Sequence, residues 1–336
     1  MRAIGVDLHT TQITVCYLTD EGESRESWKL SEMINFCEQL TGEDEIAVEA
    51  TGNTRWFCEQ VKDLVKRVWV VNPREFQVIR QSVKKTDERD AESLARFLRA
   101  GLLPEVRLKS ELAERVQSLQ QTREKLVGTR TALLNKAHSL LVGGGRKAKK
   151  ESLASAVGKQ RILAMEWSAS ERVELEIIFE QIESLTKSVK RLEAEIGVLG
   201  KEFAGFENLV SIKGIGERSA ALLLAVIGEV EDFADENKLA SYFGIVPRVS
   251  NSADSVNHGR ITKRGSKLGR TTLVQCTLVA IRYSPYLKSY YERLKARRGS
   301  GKAVIATARK FLGIIYHTLK NNWVFEDFPN FVLAET

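Results

Sequence analysis

Asp7, Glu49, Asp87 and Asp90 are four carboxylates that each fall at the start or end of an expected secondary-structure element. If those elements share one sheet edge, four oxygen-donor side chains converge there. That donor set suits Mg²⁺, with Mn²⁺ as the second choice, better than zinc. Such a site lends itself to cutting or rejoining phosphodiesters. Asp87 and Asp90 taken alone are also what a helix macrodipole favours in a first turn, and Asp7 alone would pass as a turn residue. Only the four together point to metal.

The elements that must position them can be read from local pattern. Arg2 to Val6 is a short apolar run, and Thr11 to Leu18 is rich in β-branched and aromatic residues, with a turn at Leu8-His9-Thr10. A second turn at Asp20 to Glu23 leads into a third strand over Ser24 to Leu30. A helix over Ser31 to Leu40, a strand over Glu45 to Glu49, a helix over Thr54 to Val65 and a strand over Arg67 to Val71 complete an α/β layer with a mixed sheet. Asp7 then ends the first strand and Glu49 the fourth, where ligands of open sheets gather. Thr86 is the expected N-cap of a helix that opens on Asp87, and a spacing of three puts Asp87 and Asp90 on one face.

The 336 residues suffice for two or three folding units, and apolar residues at 43% exclude a disordered chain. No run of about eighteen apolar residues and no signal-like N-terminus is present, so the expectation is a protein without a membrane partner, cytoplasmic and nucleoid-associated when active. Cys16, Cys37, Cys58 and Cys276 form no CxxC pair, which argues against zinc and disulfides. The net charge of +7 is uneven: acids outnumber bases up to Glu105, whereas beyond Gly259 fifteen Lys and Arg face four acids. A basic C-terminal third is the footprint of a nucleic-acid binder.

Between these regions the chain reads as helical. Glu111 to Leu141 and Ser170 to Leu199 carry apolar residues every three to four positions, separated by a Gly-rich basic hinge at Gly143 to Lys150. Two long amphipathic helices so joined read as a coiled-coil hairpin. The expected division is therefore 1–105, a four-carboxylate domain; 106–205, a helical linker; and 206–336, a mainly α-helical C-terminal domain. Lys213-Gly214-Ile215-Gly216 resembles a helix-hairpin-helix turn, whose N–H groups can approach phosphate; a tight packing turn explains the glycines equally well. Downstream, a loop is expected over Arg248 to Ser255, running into a basic turn and a helix from Arg270. Arg248, Arg260, Lys263, Arg264, Lys267 and Arg270 join Lys213, Gly214 and Gly216 as expected nucleic-acid contacts. A serine hydroxyl in that loop, flanked by such cations, could attack a phosphate.

Taken in order, Gly5-Val-Asp7-Leu-His9, Val48-Glu49-Ala-Thr51-Gly52, Lys85-Thr86-Asp87-x-x-Asp90-Ala91, Gly214-Ile-Gly216, Tyr242-Phe-Gly-Ile-Val-Pro247 and Gly259-Arg-Ile-Thr-Lys263-Arg-Gly265 resemble the transposases of the "IS one-ten" insertion-sequence family, which includes the pilin-gene invertases and bridge recombinases. The resemblance spans about residues 1–105 and 206–320. It implies a RuvC-like, RNase H-fold N-terminal domain whose tetrad, here Asp7, Glu49, Asp87 and Asp90, binds Mg²⁺. It also implies a C-terminal transposase domain with a nucleophilic serine, which falls on Ser252, with Ser250 and Ser255 next in that order. A covalent 5′-phosphoserine intermediate, a structured noncoding guide RNA that pairs with target and donor DNA, and homodimers that assemble into tetramers are implied likewise. Thr10, Ala253, Ser266 and Gly269 depart from the residues usual in that family.

Three other readings stay open on the residues alone. The first strands also suit the phosphate-binding hairpin of actin-like sugar kinases, although no second glycine-rich phosphate loop follows. A Holliday-junction resolvase would use the same carboxylates with water as nucleophile. A non-catalytic nucleic-acid-binding protein would need only the basic residues.

Overall fold

The computed structural model describes residues 2–73, 75–76, 86–147, 149–252 and 255–334, with side chains at 150–151 and 249–258 left undescribed. The chain divides into two compact units, Met1–Leu108 and Lys109–Thr336.

The first unit is built on five strands: β1 (Ala3–Leu8), β2 (Gln12–Leu18), β3 (Glu23–Lys29), β4 (Glu45–Glu49) and β5 (Arg67–Val71). Their order is β3-β2-β1-β4-β5. The first three form an antiparallel meander, and β4 and β5 run parallel to β1, so the sheet is mixed as expected. Alternation along β1 sends Ile4, Val6 and Leu8 to one face, where they pack with Met33 and Phe36 of helix α1 (Met33–Glu38) and with Phe57 and Val61 of α2 (Thr54–Val61). Ala3, Ala47 and Cys16 point to the opposite face, which is covered by α3 (Asp87–Arg99) through Ala91, Leu94, Ala95 and Leu98. This is a sheet between two helical layers.

Small residues set how close α3 lies. A Cβ placed on Gly5 would sit 1.9 Å from the Ala91 carbonyl oxygen and 2.5 Å from the Ala95 nitrogen. The helix backbone therefore rests directly on the middle of β1, which only glycine permits. At the sheet's other end, Asp44 is buried and accepts two hydrogen bonds from the Arg2 guanidinium and one from the Thr41 N–H. Burial works to raise its carboxyl, but those donors outweigh it and hold the group below the usual carboxylate range.

The second unit is helical. Helices α4 (Glu111–Gly143) and α6 (Ala169–Gly200) pack antiparallel, as Arg123 to Glu193, Arg130 to Thr186 and Lys136 to Glu174 show. Their far ends share a small core of Ala137, Leu141, Leu175, Ile178 and Phe179. The connection is more than a hinge: a 3-10 turn at Lys150–Ala154 and α5 (Ala156–Leu163) cap this core, and Arg146 stacks over Trp167 at 3.8 Å. At the near end, Ala113, Val116 and Ile196 join the main core of the unit, together with α8 (Glu217–Ile227), which follows α7 (Phe206–Val210). The Gln117 amide donates to the Ala225 carbonyl at 2.5 Å. The helical pair thus belongs to the same compact unit as the C-terminal helices α9 (Glu236–Tyr242), α10 (Lys267–Tyr283), α11 (Pro285–Arg298) and α12 (Ser300–Lys320).

One expectation fails here. The segment after Tyr242-Phe-Gly-Ile-Val was expected as a loop, and it forms an antiparallel hairpin of β6 (Pro247–Ser252) and β7 (Ser255–Ile261). Its serines and asparagines have loop composition, but Val249, Val256 and Ile261 supply β-branched positions, and Pro247 stands at the first residue of a strand, where a missing N–H is tolerated. No helix among the described residues is long and apolar enough to cross a membrane.

Candidate functional site

The register of the sheet sets the first half of the site. Val6 pairs with Val48, so Asp7 and Glu49 follow side by side at the carboxyl ends of β1 and β4. Alternation from Gly5 and Ala47 puts both on the face that α3 covers. The backbone beyond Glu49 is laced: Thr54 Oγ1 donates to the Glu49 carbonyl at 2.7 Å, the Thr51 N–H donates to Thr54 Oγ1 at 2.7 Å, and the Asn53 amide donates to the His9 carbonyl at 2.9 Å. The turn after β1 and the turn after β4 are thereby tied together.

The second half comes with α3. Thr86 caps it by accepting from the Arg89 N–H, as the sequence suggests, and the first turn carries Asp87 and Asp90. Because the helix sits on Gly5, two residues before Asp7, its first turn reaches the end of β1. Asp87 is half exposed and Asp90 is buried. Asp7 is only 17% exposed, and its carboxyl is raised, first by burial and then by the nearby Asp90 and Asp87 charges, against an opposing pull from His9. A carboxylate that is buried beside two others gains most from a bound cation.

Among the described residues the tightest grouping of metal-ligating atoms is Asp7, Asp87 and His9, whose donor atoms lie within 4.8 Å of one another. His9 Nε2 is 3.2 Å from Asp7 Oδ2 and 3.2 Å from Asp87 Oδ2. In the sequence His9 is marked only as part of the Gly5-Val-Asp7-Leu-His9 motif. Its place in the turn that directly follows β1, two residues beyond Asp7, was the signal available. The donors fit a hard divalent cation with room for water: two carboxylates at the centre, a third charge on buried Asp90, and Glu49 placed beside Asp7 by register.

The C-terminal motifs meet one another instead of forming a bare basic loop. Gly244 has φ +67°, and a Cβ there would lie 1.9 Å from the Arg264 carbonyl oxygen; Gly265 has φ +102°, and its Cβ would lie 2.0 Å from the Tyr242 carbonyl oxygen. The Thr262 N–H donates to the Val246 carbonyl and the Lys263 N–H to the Gly244 carbonyl. Arg270 Nη1 donates to the Phe243 and Gly265 carbonyls, both at 3.1 Å. These contacts clamp the base of the hairpin whose strands contain Ser250, Ser252 and Ser255. Arg248 is exposed at the start of the hairpin, while the side chains of those serines are outside the described residues, as are Ala253 and Asp254 altogether. Ser266 keeps an N-cap role, accepting from the Gly269 N–H, and Gly269 is small because Val226 and Phe243 already fill the space beside it.

Among the other expected nucleic-acid contacts, Arg260, Arg264 and Lys267 are exposed around this base, and Lys263 takes a left-handed φ of 55°. Gly214, at φ +114°, lies against the backbone of Ala280, so the packing-turn reading accounts for it; Gly216 precedes α8 with open space around it. The Lys213 ammonium lies over the Tyr283 ring at 5.5 Å.

Residues 4–144, which hold all four carboxylates, match the model of the DEDD transposase of IS110, and residues 206–292, which hold the clamp and hairpin, match that of the Transposase IS116/IS110/IS902 family. The chain belongs to this transposase family. A probable family 20 transposase of Pseudomonas aeruginosa is 26% identical over 95% of this chain and 97% of its own length. The transposase for insertion sequence element IS1111A of Coxiella burnetii is 26% identical over 82% of this chain and 77% of its own. A pilin gene-inverting protein of Moraxella lacunata is 31% identical over 35% of this chain and 38% of its own. As a member of the family this transposase acts on DNA, and its first unit carries an acidic cluster that could hold a divalent cation.

Proposed function

We propose that this transposase cuts and rejoins DNA through a covalent serine intermediate, with Asp7, Glu49, Asp87 and Asp90 holding Mg²⁺ in an RNase H-like, RuvC-like domain. The observation that carries the reading is the seat of α3 on Gly5, which brings Asp87 and Asp90 to Asp7 at the carboxyl end of β1. Bound there, the cation would neutralise charge on the scissile phosphate and its leaving oxygen. Ser252 Oγ attacks phosphorus, its proton passes to solvent, and the DNA 3′-oxygen departs as a hydroxyl. The phosphoserine ester keeps the bond energy of the phosphodiester, so the 3′-hydroxyl of a second strand can displace the serine without ATP. The clamp formed by Gly244, Gly265 and Arg270 supports this role, because a nucleophile on a hairpin needs a fixed base.

Arg260, Lys263, Arg264 and Lys267 would track phosphate, and a structured noncoding RNA would read target and donor by base pairing, leaving the protein to recognise backbone and shape. Homodimers pairing into tetramers would bring a tetrad to a serine of another protomer. The division 1–105, 106–205 and 206–336 would then assign metal site, helical pair and serine hairpin to successive segments, the last two sharing one compact unit.

The test is to incubate protein, Mg²⁺, element-derived RNA and matched DNA, then run a denaturing gel. A covalent protein–DNA adduct is expected with wild type and lost with Ser252→Ala. An adduct that persists in Ser252→Ala moves the nucleophile to Ser250 or Ser255. Cut ends without any adduct would leave hydrolysis by the acidic site as the activity, as in a junction resolvase. Asp7→Ala should abolish strand exchange and leave RNA binding intact.

A further inference from the structure

We propose that His9 is itself a metal ligand, so that the centre has a mixed nitrogen and oxygen donor set and favours Mn²⁺ over Mg²⁺. This rests on the reading of Asp7 and Asp87 as metal-binding carboxylates and deepens it.

Three observations carry it. First, the imidazole lies between the two carboxylates, with Nε2 at 3.2 Å from an oxygen of each. Adjacent donors around an octahedral ion with bonds of about 2.1 Å stand roughly 3.0 Å apart, so the nitrogen is already spaced from each carboxylate oxygen as a neighbouring ligand, and the two oxygens lie within 4.8 Å of each other. Second, a single Nε2 proton cannot serve two carboxylate oxygens with full hydrogen-bond geometry. A cation placed among the three atoms would satisfy all of them at once. Third, His9 is held at both of its backbone groups: its N–H donates to the Gln12 carbonyl at 3.0 Å, and its carbonyl accepts from the Asn53 amide at 2.9 Å. A turn residue is usually free to swing, whereas this one is fixed from the sheet on one side and from the turn beyond Glu49 on the other. Its side chain is 45% exposed, so the position is open to an ion arriving from solvent, and packing alone does not account for it.

Imidazole is a better partner for Mn²⁺ than for Mg²⁺, which is bound chiefly by carboxylate, carbonyl and water. His9 therefore bears on which cation the centre selects, separately from whether it binds one.

The experiment uses the full chain with Mn²⁺ as the probe. Electron spin-echo envelope modulation of bound Mn²⁺ should show coupling to a directly bound ¹⁴N nucleus in wild type, lost in His9→Gln and in His9→Asp. Titration should show Mn²⁺ affinity falling about tenfold or more in His9→Gln. His9→Asp, which offers oxygen again, should recover binding without the nitrogen signal and with a lower Mn²⁺ to Mg²⁺ preference. Thermal melts without metal check that both variants fold, which the exposure of the ring favours. Mn²⁺ bound by wild type with no nitrogen coupling, or with coupling that persists in His9→Gln, overturns the assignment while leaving the carboxylate site standing. Failure of wild type to bind Mn²⁺ at all, with Asp7→Asn indistinguishable from it, overturns both.

Discussion

Gly5→Ala tests whether α3 positions the acidic site by direct contact with β1. The added methyl would stand 1.9 Å from the Ala91 carbonyl oxygen, where ordinary contact begins at 3.4 Å, so the helix must lift by about 1.5 Å or the strand must sink. Both obstacles are backbone atoms, and the strand's other face is filled by fully buried Ile4 and Val6 against Phe36 and Phe57, so neither side yields cheaply. Overpacking of this kind costs about 1–3 kcal/mol, which for a unit of this size lowers the melting temperature by roughly 5–15 °C. Metal binding should suffer more than stability. Ligand distances tolerate about 0.2 Å, several times less than the displacement, and Asp87 and Asp90 ride on the helix that moves while Asp7 stays on the strand. Calorimetric titration with Mn²⁺ at a temperature where the variant is folded should show affinity reduced at least tenfold. Ser93→Ala, on the exposed side of the same helix, should bind as wild type does. A Gly5→Ala protein that melts within a degree of wild type, or that melts early yet binds Mn²⁺ unchanged, would refute the reasoning.

Arg2→Ala should destabilise the first unit by about 2–4 kcal/mol at neutral pH, since it leaves the buried Asp44 carboxylate without its guanidinium. Because that carboxyl is held below its usual range, the stability it contributes is complete above the unfolded value of about 3.9 and is lost as pH falls through the folded one; acid melts of wild type and Asp44→Asn should converge there. Asp7 has the opposite sign. Its carboxyl is raised, so the metal-free protein loses stability as pH climbs from the unfolded through the folded value, and the gain in melting temperature from added Mg²⁺ should grow as pH rises through that interval. Gly265→Ala should cost about 1–3 kcal/mol or more, from both its positive φ and the Tyr242 carbonyl, and should suppress adduct formation. Arg270→Ala should lower the melting temperature without changing the salt dependence of DNA binding, because its hydrogen bonds go to backbone carbonyls, whereas Lys267→Ala should reduce the salt slope by about one ion.

The first unit was legible because each of its elements carries its own signal. A run of β-branched and aromatic residues from Gln12 to Leu18, a Thr86 cap and a 3.6-residue rhythm in Ala91, Leu94, Ala95 and Leu98 all agree with their final environment. The four carboxylates could be placed in the fold for the same reason: Asp7 and Glu49 lie in the last two residues of their strands, and Asp87 and Asp90 lie in the first turn of α3. His9 escaped notice because its role depends on how far α3 descends onto Gly5, a distance no local pattern encodes. The serine hairpin was misread as a loop since Ser and Asn dominate its composition, and its stability comes from a base built by Tyr242 to Val246 and Thr262 to Gly265. Arg270 illustrates a limit of charge counting, because the sequence shows the cation and the fold shows that two main-chain oxygens already hold it. The helical pair was visible in its periodicity, but its attachment to α8 through Gln117 and Ala225 depends on residues 108 positions apart.

The clamp beneath the hairpin has a consequence for anyone wishing to exchange parts between relatives of this transposase. Gly244 lies against the Arg264 backbone and Gly265 against the Tyr242 carbonyl so closely that each half is the mould of the other. A graft cut at Pro247 and Ile261 would set a foreign hairpin in a socket shaped for the native one. Cuts before Ser241 and after Arg270 would carry socket and hairpin together, and the joints would then fall within helices whose ends any α-helical host can continue.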